Sequence, residues 1–418
     1  METNRYIVLL QNQNPKTLKK VEQQLEVSIT SSEDLSSENR SFKIINKDNG
    51  VLYKNLGVLV VDNMDEAQLK SAVDNATNPI VYFEKERLFF PANELQMIAE
   101  LKNKTNKHKK KIIELEKFIN NKPLPQKNLV EMEWGLKAIN LEKTLYSGKG
   151  VDICVLDTGF ERSHPDFSFR EIEGKSFIND EAWDKDINGH GTHCAGVAAG
   201  NIRKDSGKRY GIAKDANLKI AKVLSDKGTG TTSSVIDAID WAITKKFRII
   251  SLSLASPVKL NELPSPLFEI VGQRALENNC LIIAAAGNDS KRPSVPLPVS
   301  APANSMSILA VAAIDGQMRV AHFSNAGLNP SSGGNINVCA PGVDVVSSYP
   351  KNSKSKSNYH TLNGTSMATP HVSGLAALYM EQYPNKSAKE IWELIETHAK
   401  PIEGLKYRYI VSVFIQTI

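Results

Sequence analysis

At 418 residues, the chain exceeds the usual single domain of roughly 100–200 residues, so a large domain and a smaller one are expected. Its composition, 41% hydrophobic and 23% charged, is that of a globular chain and excludes disordered and fibrous classes. A net charge of +5 is too small for this length to argue for nucleic acid, and no run reaches the roughly 18 apolar residues of a transmembrane helix.

The N-terminus, METNRYIVLLQNQN, has a five-residue apolar run and no small-residue cleavage site. It does not read as a signal peptide, so a cytoplasmic location is expected. The alternative is a secreted protein whose signal is missing from this sequence. Tyr6–Leu10 reads as a strand, and Pro15–Val27 as a helix with Leu18, Val21 and Leu25 on one face. Gly57–Val61 reads as a strand. Asp65–Val73 reads as a helix opened by Asp62, Asp65 and Glu66, acids that suit a helix N-terminus. Ile80–Phe83 and Arg87–Phe90 are strand-like, and residues 31–50 read as a polar loop. Residues 1–90 therefore suggest a small ferredoxin-like β-α-β-β-α-β unit.

Residues 92–120 have helical spacing at Leu95, Ile98, Leu101, Ile112, Leu115 and Ile119. Leu101 to Lys127 holds nine Lys and two Glu, a local charge of 9 − 2 = +7. No aromatics interleave with the lysines, so a solvated linker over 91–128 is favoured over a nucleic-acid or membrane contact. Residues 121–129 read as a Pro-containing hinge.

From Lys149 onward apolar strands alternate with helices. The strands are Val151–Leu156, Leu218–Val223, Ile249–Leu254, Cys280–Ala285 and Ile308–Ala313. The helices are His193–Ala199, Ser233–Thr244, Leu267–Asn278, His371–Glu381 and Ala388–His398. This alternation predicts an α/β fold over 129–418, a doubly wound parallel sheet with its site beyond the carboxyl ends of the strands. Cys154, Cys194, Cys280 and Cys339 lie in apolar segments without a CxxC pair and read as buried free thiols.

Three segments fall at such ends: CVLDTG with Asp157, DINGHGTHCAG with His190 and His193, and IIAAAGND with Asn288. A fourth, NGTSMATPHVSGLAALYM, places Ser366 at the start of a buried helix, where free N–H groups converge. Pro370 falls near that helix start, where early N–H groups lack partners anyway. Nucleophile, base, orienting carboxylate and amide donor are the parts of nucleophilic acyl transfer. Each residue also has a purely structural reading: a turn for Asp157, a left-handed turn for Asn288, a helix cap for Ser366. His190 with His193 or His164 could hold a metal, but HGTH supplies too few ligands and no HExxH occurs.

Together, DTG, NGHGTHCAG, AAAGN and NGTSMATPH resemble the signatures of the subtilisin-like serine proteases, in the order Asp, His, Ser. The resemblance spans about Leu129 to His398. It implies a serine endopeptidase with Asp157 as orienting acid, His190 as general base and Ser366 as nucleophile. It implies Asn288 as oxyanion donor beside the Ser366 N–H, and a structural role for His193. It implies a substrate-binding set of Gly228, Gly230, Ser253, Leu254, Ala255, Ser256, Ala286 and Gly287, where an extended peptide adds as a strand. The family's pair of glycines after SL is replaced by Ala255 and Ser256, which would narrow the first pocket. Its floor would come from Ala284–Gly287 and Ser300–Ala303. Asp289 would favour a basic side chain, or is an exposed loop acid. Asp166 matches a calcium ligand, but the loop Asn201–Tyr210 is basic rather than Asn-rich, so no cofactor is expected and calcium is doubtful. The C-terminal LKYRYIVSVFIQTI lacks the family's Gly-rich ending. Residues 1–90 resemble the propeptide that blocks the site of such zymogens. The expected partners are a protein or peptide substrate and the chain's own propeptide, with no nucleic acid. An inactive binding scaffold and a peptide ligase on the same fold are the competing readings.

Overall fold

The structure, a computed structural model, describes residues 5–35, 49–73, 78–92, 130–329, 333–351 and 355–402, and the backbone of 408–409. The helix and hinge expected between 92 and 129 lie outside the described residues, apart from Ala92.

The N-terminal unit runs β1 (Arg5–Leu10), α1 (Pro15–Leu25), β2 (Ser28–Ser31), β3 (Asn49–Tyr53), β4 (Val58–Asp62), α2 (Glu66–Val73), β5 (Ile80–Lys85) and β6 (Leu88–Pro91). Asn14 caps α1, its side chain accepting the Thr17 N–H. The sheet order is β2-β3-β4-β1-β5, antiparallel throughout except for β2 beside β3. Strands β3, β4, β1 and β5 give the expected β-α-β-β-α-β arrangement, and β2 is an added edge. The loop expected over 31–50 is corrected at both ends, because Ser31 closes β2 and Asn49 and Gly50 open β3. Ser28-Ile-Thr-Ser carries one large apolar residue, too little alternation to register as a strand.

Beyond it come α3 (Trp134–Ala138), β7 (Asp152–Asp157), β8 (Glu173–Ser176), α4 (His190–Ala199), β9 (Asn217–Lys222) and β10 (Gly230–Thr231). Then follow α5 (Thr232–Thr244), β11 (Ile249–Leu252), β12 (Leu254–Ala255), α6 (Pro266–Glu277), β13 (Leu281–Ala285), β14 (Leu309–Ile314) and β15 (Val338–Pro341). The chain continues through β16 (Val345–Ser348), β17 (Tyr359–Leu362), α7 (Thr365–Gln382), α8 (Ala388–His398), β18 (Lys400–Pro401) and β19 (Arg408–Tyr409). The large sheet has the order β18-β19-β15-β14-β13-β11-β7-β9-β8. Its pairs are parallel except β18 with β19.

Side-chain alternation explains why both faces of this sheet are apolar. On β7, Ile153 and Val155 join a core with α4 and α7, while Cys154 and Leu156 join a second core with α5 and α6. The N-terminal sheet divides in the same way. Tyr6, Val8 and Leu10 pack with Val21, Leu25 and Leu69 of its own helices. Ile7 and Leu9 turn outward into the core of α5 and α6, with Val235, Ile239 and Phe268. The small unit is thus a sheet between two pairs of helices, one its own and one belonging to the large domain.

Strand β6 leaves that sheet. It lies between β10 and β12, antiparallel to both, with Phe89 opposite Gly230, Phe90 opposite Ala255 and Pro91 opposite Leu254.

Candidate active site

Strand β7 ends at Asp157, and α4 begins at His190. The His190 Nδ1 lies 2.7 Å from Asp157 Oδ1, which also accepts the Thr158 N–H at 2.7 Å. Gly191 permits this approach, since a Cβ there would sit 2.1 Å from the Gly159 carbonyl oxygen. The turn before His190 hangs on Asp186. Its Oδ1 accepts the Gly189 N–H and the Thr158 hydroxyl, and its Oδ2 accepts the Thr192 N–H and hydroxyl, all within 2.9 Å. A buried carboxylate at a helix N-terminus is favoured by the helix dipole. Sequence reasoning assigned nothing to Asp186, although it stands four residues before His190 in the quoted motif.

Burial alone would lower the His190 pKa. The Asp157 carboxylate outweighs it and holds the imidazole well above its ordinary range. Cys194 lies behind the ring, its Sγ 3.8 Å from Nδ1. Burial pushes its thiol up to about 11, so at neutral pH it is uncharged. His193 is a different kind of histidine. Its Nε2 faces the carbonyls of Val345 and His360 at 3.1 Å, and burial drops it to about 3, a neutral structural group. Among the described residues, the side chains close enough to share an ion are Asp157, His190 and Cys194, not His190 with His193 or His164.

Ser366 is the second residue of α7 and is fully buried. Its hydroxyl donates to the Ser253 carbonyl at 2.8 Å. Pro370 is the sixth residue of this helix, not one of the first four as its place in the motif suggests, so it removes the bond that Ser366 C=O would receive. The freed carbonyl accepts the Ser253 hydroxyl at 2.8 Å and the Cys194 thiol at 3.5 Å. Asn288 Oδ1 accepts the Thr365 N–H and hydroxyl at 2.9 and 3.0 Å. That fixes the amide so that its Nδ2, buried and without a hydrogen-bond partner, remains available. A buried donor left unpartnered is costly unless function uses it.

Ala92 reaches this centre from the other side. Its N–H donates to the same Ser253 carbonyl, at 3.3 Å. Strand β6 therefore ends against the backbone carbonyl that the Ser366 hydroxyl also uses.

Residues 148–409 match the Subtilase family. The chain belongs to the subtilase family. It is 36% identical to Subtilisin DY of Bacillus licheniformis over 256 residues, 61% of this chain and 86% of that one. It is 35% identical to the Major intracellular serine protease of Bacillus subtilis (strain 168) over 283 residues, 66% of this chain and 82% of the relative. Among solved structures it resembles a cold adapted subtilisin-like serine proteinase, with a TM-score of 0.57, 28% identity and coverage of 68% of this chain and 100% of that one. It also resembles Sphericase, with a TM-score of 0.54 and 34% identity over 64% of this chain and 90% of that one. It is a subtilisin-like serine endopeptidase acting on protein or peptide substrates, and among the described residues no helix is long and apolar enough to cross a membrane.

In this subtilase the expected substrate-binding residues fall into three groups. Gly230, Leu254 and Ala255 pair with β6, and Ser253 receives Ala92. Gly228 lies in the turn before β10, its N–H on Ser225 O at 2.7 Å, and Ser256 pairs instead with Ala301. Ala286 and Gly287 continue β13, held by Ser300 N and by the Thr365 hydroxyl. Asp289 is neither an exposed acid nor a free one. It is half-buried, burial raises its pKa, and its Oδ2 accepts the Asn325 amide at 3.2 Å.

Calcium is a common structural ion in this family, and Asp166 is the residue that matches a ligand. Its Oδ2 accepts the hydroxyls of Tyr210 at 2.8 Å and Tyr359 at 2.9 Å, and Tyr359 also reaches Oδ1 at 2.9 Å. The basic loop carries its own cation. The Arg203 guanidinium lies over the Tyr359 ring at 4.9 Å and pairs with Glu133 at 2.7 Å and Asp205 at 2.8 Å.

Cys154, Cys194, Cys280 and Cys339 are all free and buried.

Proposed function

We propose that Asp157, His190 and Ser366 form the catalytic triad and that the chain is a zymogen which cuts itself after Ala92. The observation that carries this reading is the shared Ser253 carbonyl, which takes the N–H of Ala92 and the hydroxyl of Ser366. A rotation about the Ser366 Cα–Cβ bond turns the hydroxyl from that carbonyl toward His190 Nε2. His190 then takes the hydroxyl proton as Oγ attacks the Ala92 carbonyl carbon, and Asp157 stabilises the resulting imidazolium. Asn288 Nδ2 and the Ser366 N–H receive the oxyanion. His190 returns its proton to the leaving amine of Asn93. Water, deprotonated by the same histidine, releases the acyl group and regenerates Ser366.

In this reading residues 5–92 act as an inhibitory propeptide whose last strand is a product left in the cleft. The segment 93–128 links it to the catalytic domain from about residue 129. The Asp166 oxygens, taken by two phenols, do not fit a calcium ion, and Arg203 supplies positive charge at that corner instead. Four free buried thiols fit a reducing, cytoplasmic setting, as do relatives named as intracellular proteases.

The test is intact-mass and N-terminal analysis of purified protein. The wild-type chain should yield a fragment beginning at Asn93, and Ser366→Ala should stay whole at 46.0 kDa. Self-cleavage by Ser366→Ala would refute the assignment.

A further inference from the structure

We propose that Glu262 forms a subsite selecting a basic side chain at the sixth residue before the scissile bond. The inference rests on the reading that Ala92 ends a strand lying in the cleft as a substrate does. With Ala92 as the first residue before the bond, Arg87 is the sixth.

Backbone pairing carries the strand that far. Thr232 N donates to Arg87 O at 2.9 Å, and Arg87 N donates to the Thr232 hydroxyl at 2.8 Å. These bonds continue the pairing of Leu88 with Thr231 and Phe89 with Gly230. A chain bound in this register has its backbone fixed at the sixth position, one step beyond β6. There the Arg87 Nη1 meets Glu262 Oε1 at 3.0 Å, the two side chains being 28% and 29% exposed.

Glu262 stands on the connection between β12 and α6, and its geometry is set within the catalytic domain. Its N–H donates to Lys259 O at 3.1 Å, and its Oε2 accepts the Lys259 N–H at 2.8 Å. That fixes the rotamer and turns Oε1 to the arginine. Asn329 braces the same turn. Its Oδ1 accepts the Asn261 N–H at 3.1 Å, and its Nδ2 donates to Glu262 O at 3.4 Å. None of these bonds involves the N-terminal unit, so the carboxylate keeps its place when that unit leaves. A side chain already held in its bound rotamer loses little entropy on binding. Glu84, a second carboxylate near Arg87, belongs to the N-terminal unit and departs with it. The selecting charge that stays with the enzyme is Glu262.

The experiment uses the self-processed enzyme, its active concentration fixed by fluorophosphonate titration. The probes are acetyl-Arg-Leu-Phe-Phe-Pro-Ala-p-nitroanilide, which copies residues 87–92, and the same peptide with Gln or Glu in place of Arg. The wild-type enzyme should favour Arg over Gln by about three- to five-fold in kcat/KM, the scale of a partly exposed ion pair. The Glu peptide should be slowest. Most of the preference should vanish at roughly 1 M salt, where the screening length is about 3 Å. Glu262→Gln should level the Arg and Gln peptides. Glu262→Lys should reverse the order, a result that a misfolded enzyme could not give. Indifference of the wild-type enzyme to this charge overturns the proposal, and so does a preference that survives in Glu262→Gln, since the contact would then serve only to dock the N-terminal unit. Labelled enzyme that begins at Asn93 and ignores the charge refutes the subsite alone. Enzyme that takes no label, or begins elsewhere, refutes the reading beneath it as well.

Discussion

Glu86 of the N-terminal unit grips Ser233 of the catalytic domain by two bonds. One Glu86 oxygen accepts both the Ser233 N–H, at 3.0 Å, and the Ser233 hydroxyl. Ser233 lies in the first turn of α5, so the carboxylate also meets the positive end of that helix. Glu84 makes a parallel contact at α6, accepting the Ser265 hydroxyl at 2.7 Å. Two acids, Glu84 near the end of β5 and Glu86 on the link to β6, thus dock on the N-termini of the two helices that the small sheet covers.

Inhibition in trans by residues 1–92 should follow, because this unit has its own core around Val8, Val21 and Leu59. Glu86→Ala would leave the Ser233 N–H buried and unpartnered. At about 1.5–3 kcal/mol for a hydrogen bond to a charged group, the inhibition constant should rise roughly ten- to 150-fold. A titration of the active enzyme against both fragments measures it. An unchanged constant for the variant would remove Glu86 from the interface.

Asn288→Ala should cut kcat with little change in KM, because its Nδ2 has no partner until charge develops on the substrate oxygen. The expected loss is the roughly 10²–10³ measured when subtilisin itself loses its side-chain oxyanion donor. A loss confined to KM would make Asn288 a ground-state binding residue instead. Steady-state kinetics on one good peptide distinguishes the two.

The residues of the candidate site were legible in the sequence because the acyl transfer proposed for it demands fixed residue types at strand ends. Asp157, His190, Asn288 and Ser366 each follow an apolar strand or open a buried helix, and each stands in a quoted motif. The strands of the large sheet were legible for a different reason: burial on both faces makes them continuous apolar runs. What escaped is held by partners far along the chain. Strand β6 pairs through backbone groups with β10 and β12, more than 130 residues away, and backbone pairing leaves no mark on residue type. The two phenols on Asp166 come from 44 and 193 residues away, so a motif around Asp166 still reads as a calcium ligand. The link between Pro370 and the Cys194 thiol is likewise a consequence of packing α7 against α4, not of spacing.

The activity of the mature enzyme should rise with pH through a His190 pKa above the ordinary 6.5. Only the neutral imidazole accepts the Ser366 proton, and Asp157 holds the ring protonated to higher pH than usual against the lowering effect of burial. The other titratable groups facing it do not change this sense, since His193 is neutral above about 3 and Cys194 below about 11. The same sign governs stability. The protonated pair stabilises fully below the unfolded value and loses that contribution as pH rises through the folded one. Asp157→Asn should shift the acid limb of kcat/KM to lower pH while dropping kcat about 10⁴-fold, through the wrong tautomer. A pH–rate profile in which the variant's limb stays in place would show that Asp157 does not set the histidine's charge.

Chelation should leave thermal stability unchanged, whereas removal of Arg203 should lower it. Where a divalent cation would tie the loop to the start of the catalytic domain, Arg203 bridges Glu133 and Asp205 from a largely buried position. The neighbouring backbone is tied in the same place. Glu133 N donates to Arg209 O, Arg209 N donates to Glu131 O, and Lys208 pairs with Glu131 at 2.8 Å. Stacking of the guanidinium on Tyr359 passes the constraint to the ring that binds Asp166. Arg203→Met keeps the bulk but leaves Glu133 and Asp205 without their cation. Losing the charged hydrogen bonds should cost about 1–3 kcal/mol, and a domain of this size shifts by roughly 2–4 °C per kcal/mol. Melting curves with and without EDTA, on wild type and variant, make the comparison. A fall of several degrees with EDTA in the wild-type protein would mean that a bound metal, not Arg203, holds this corner.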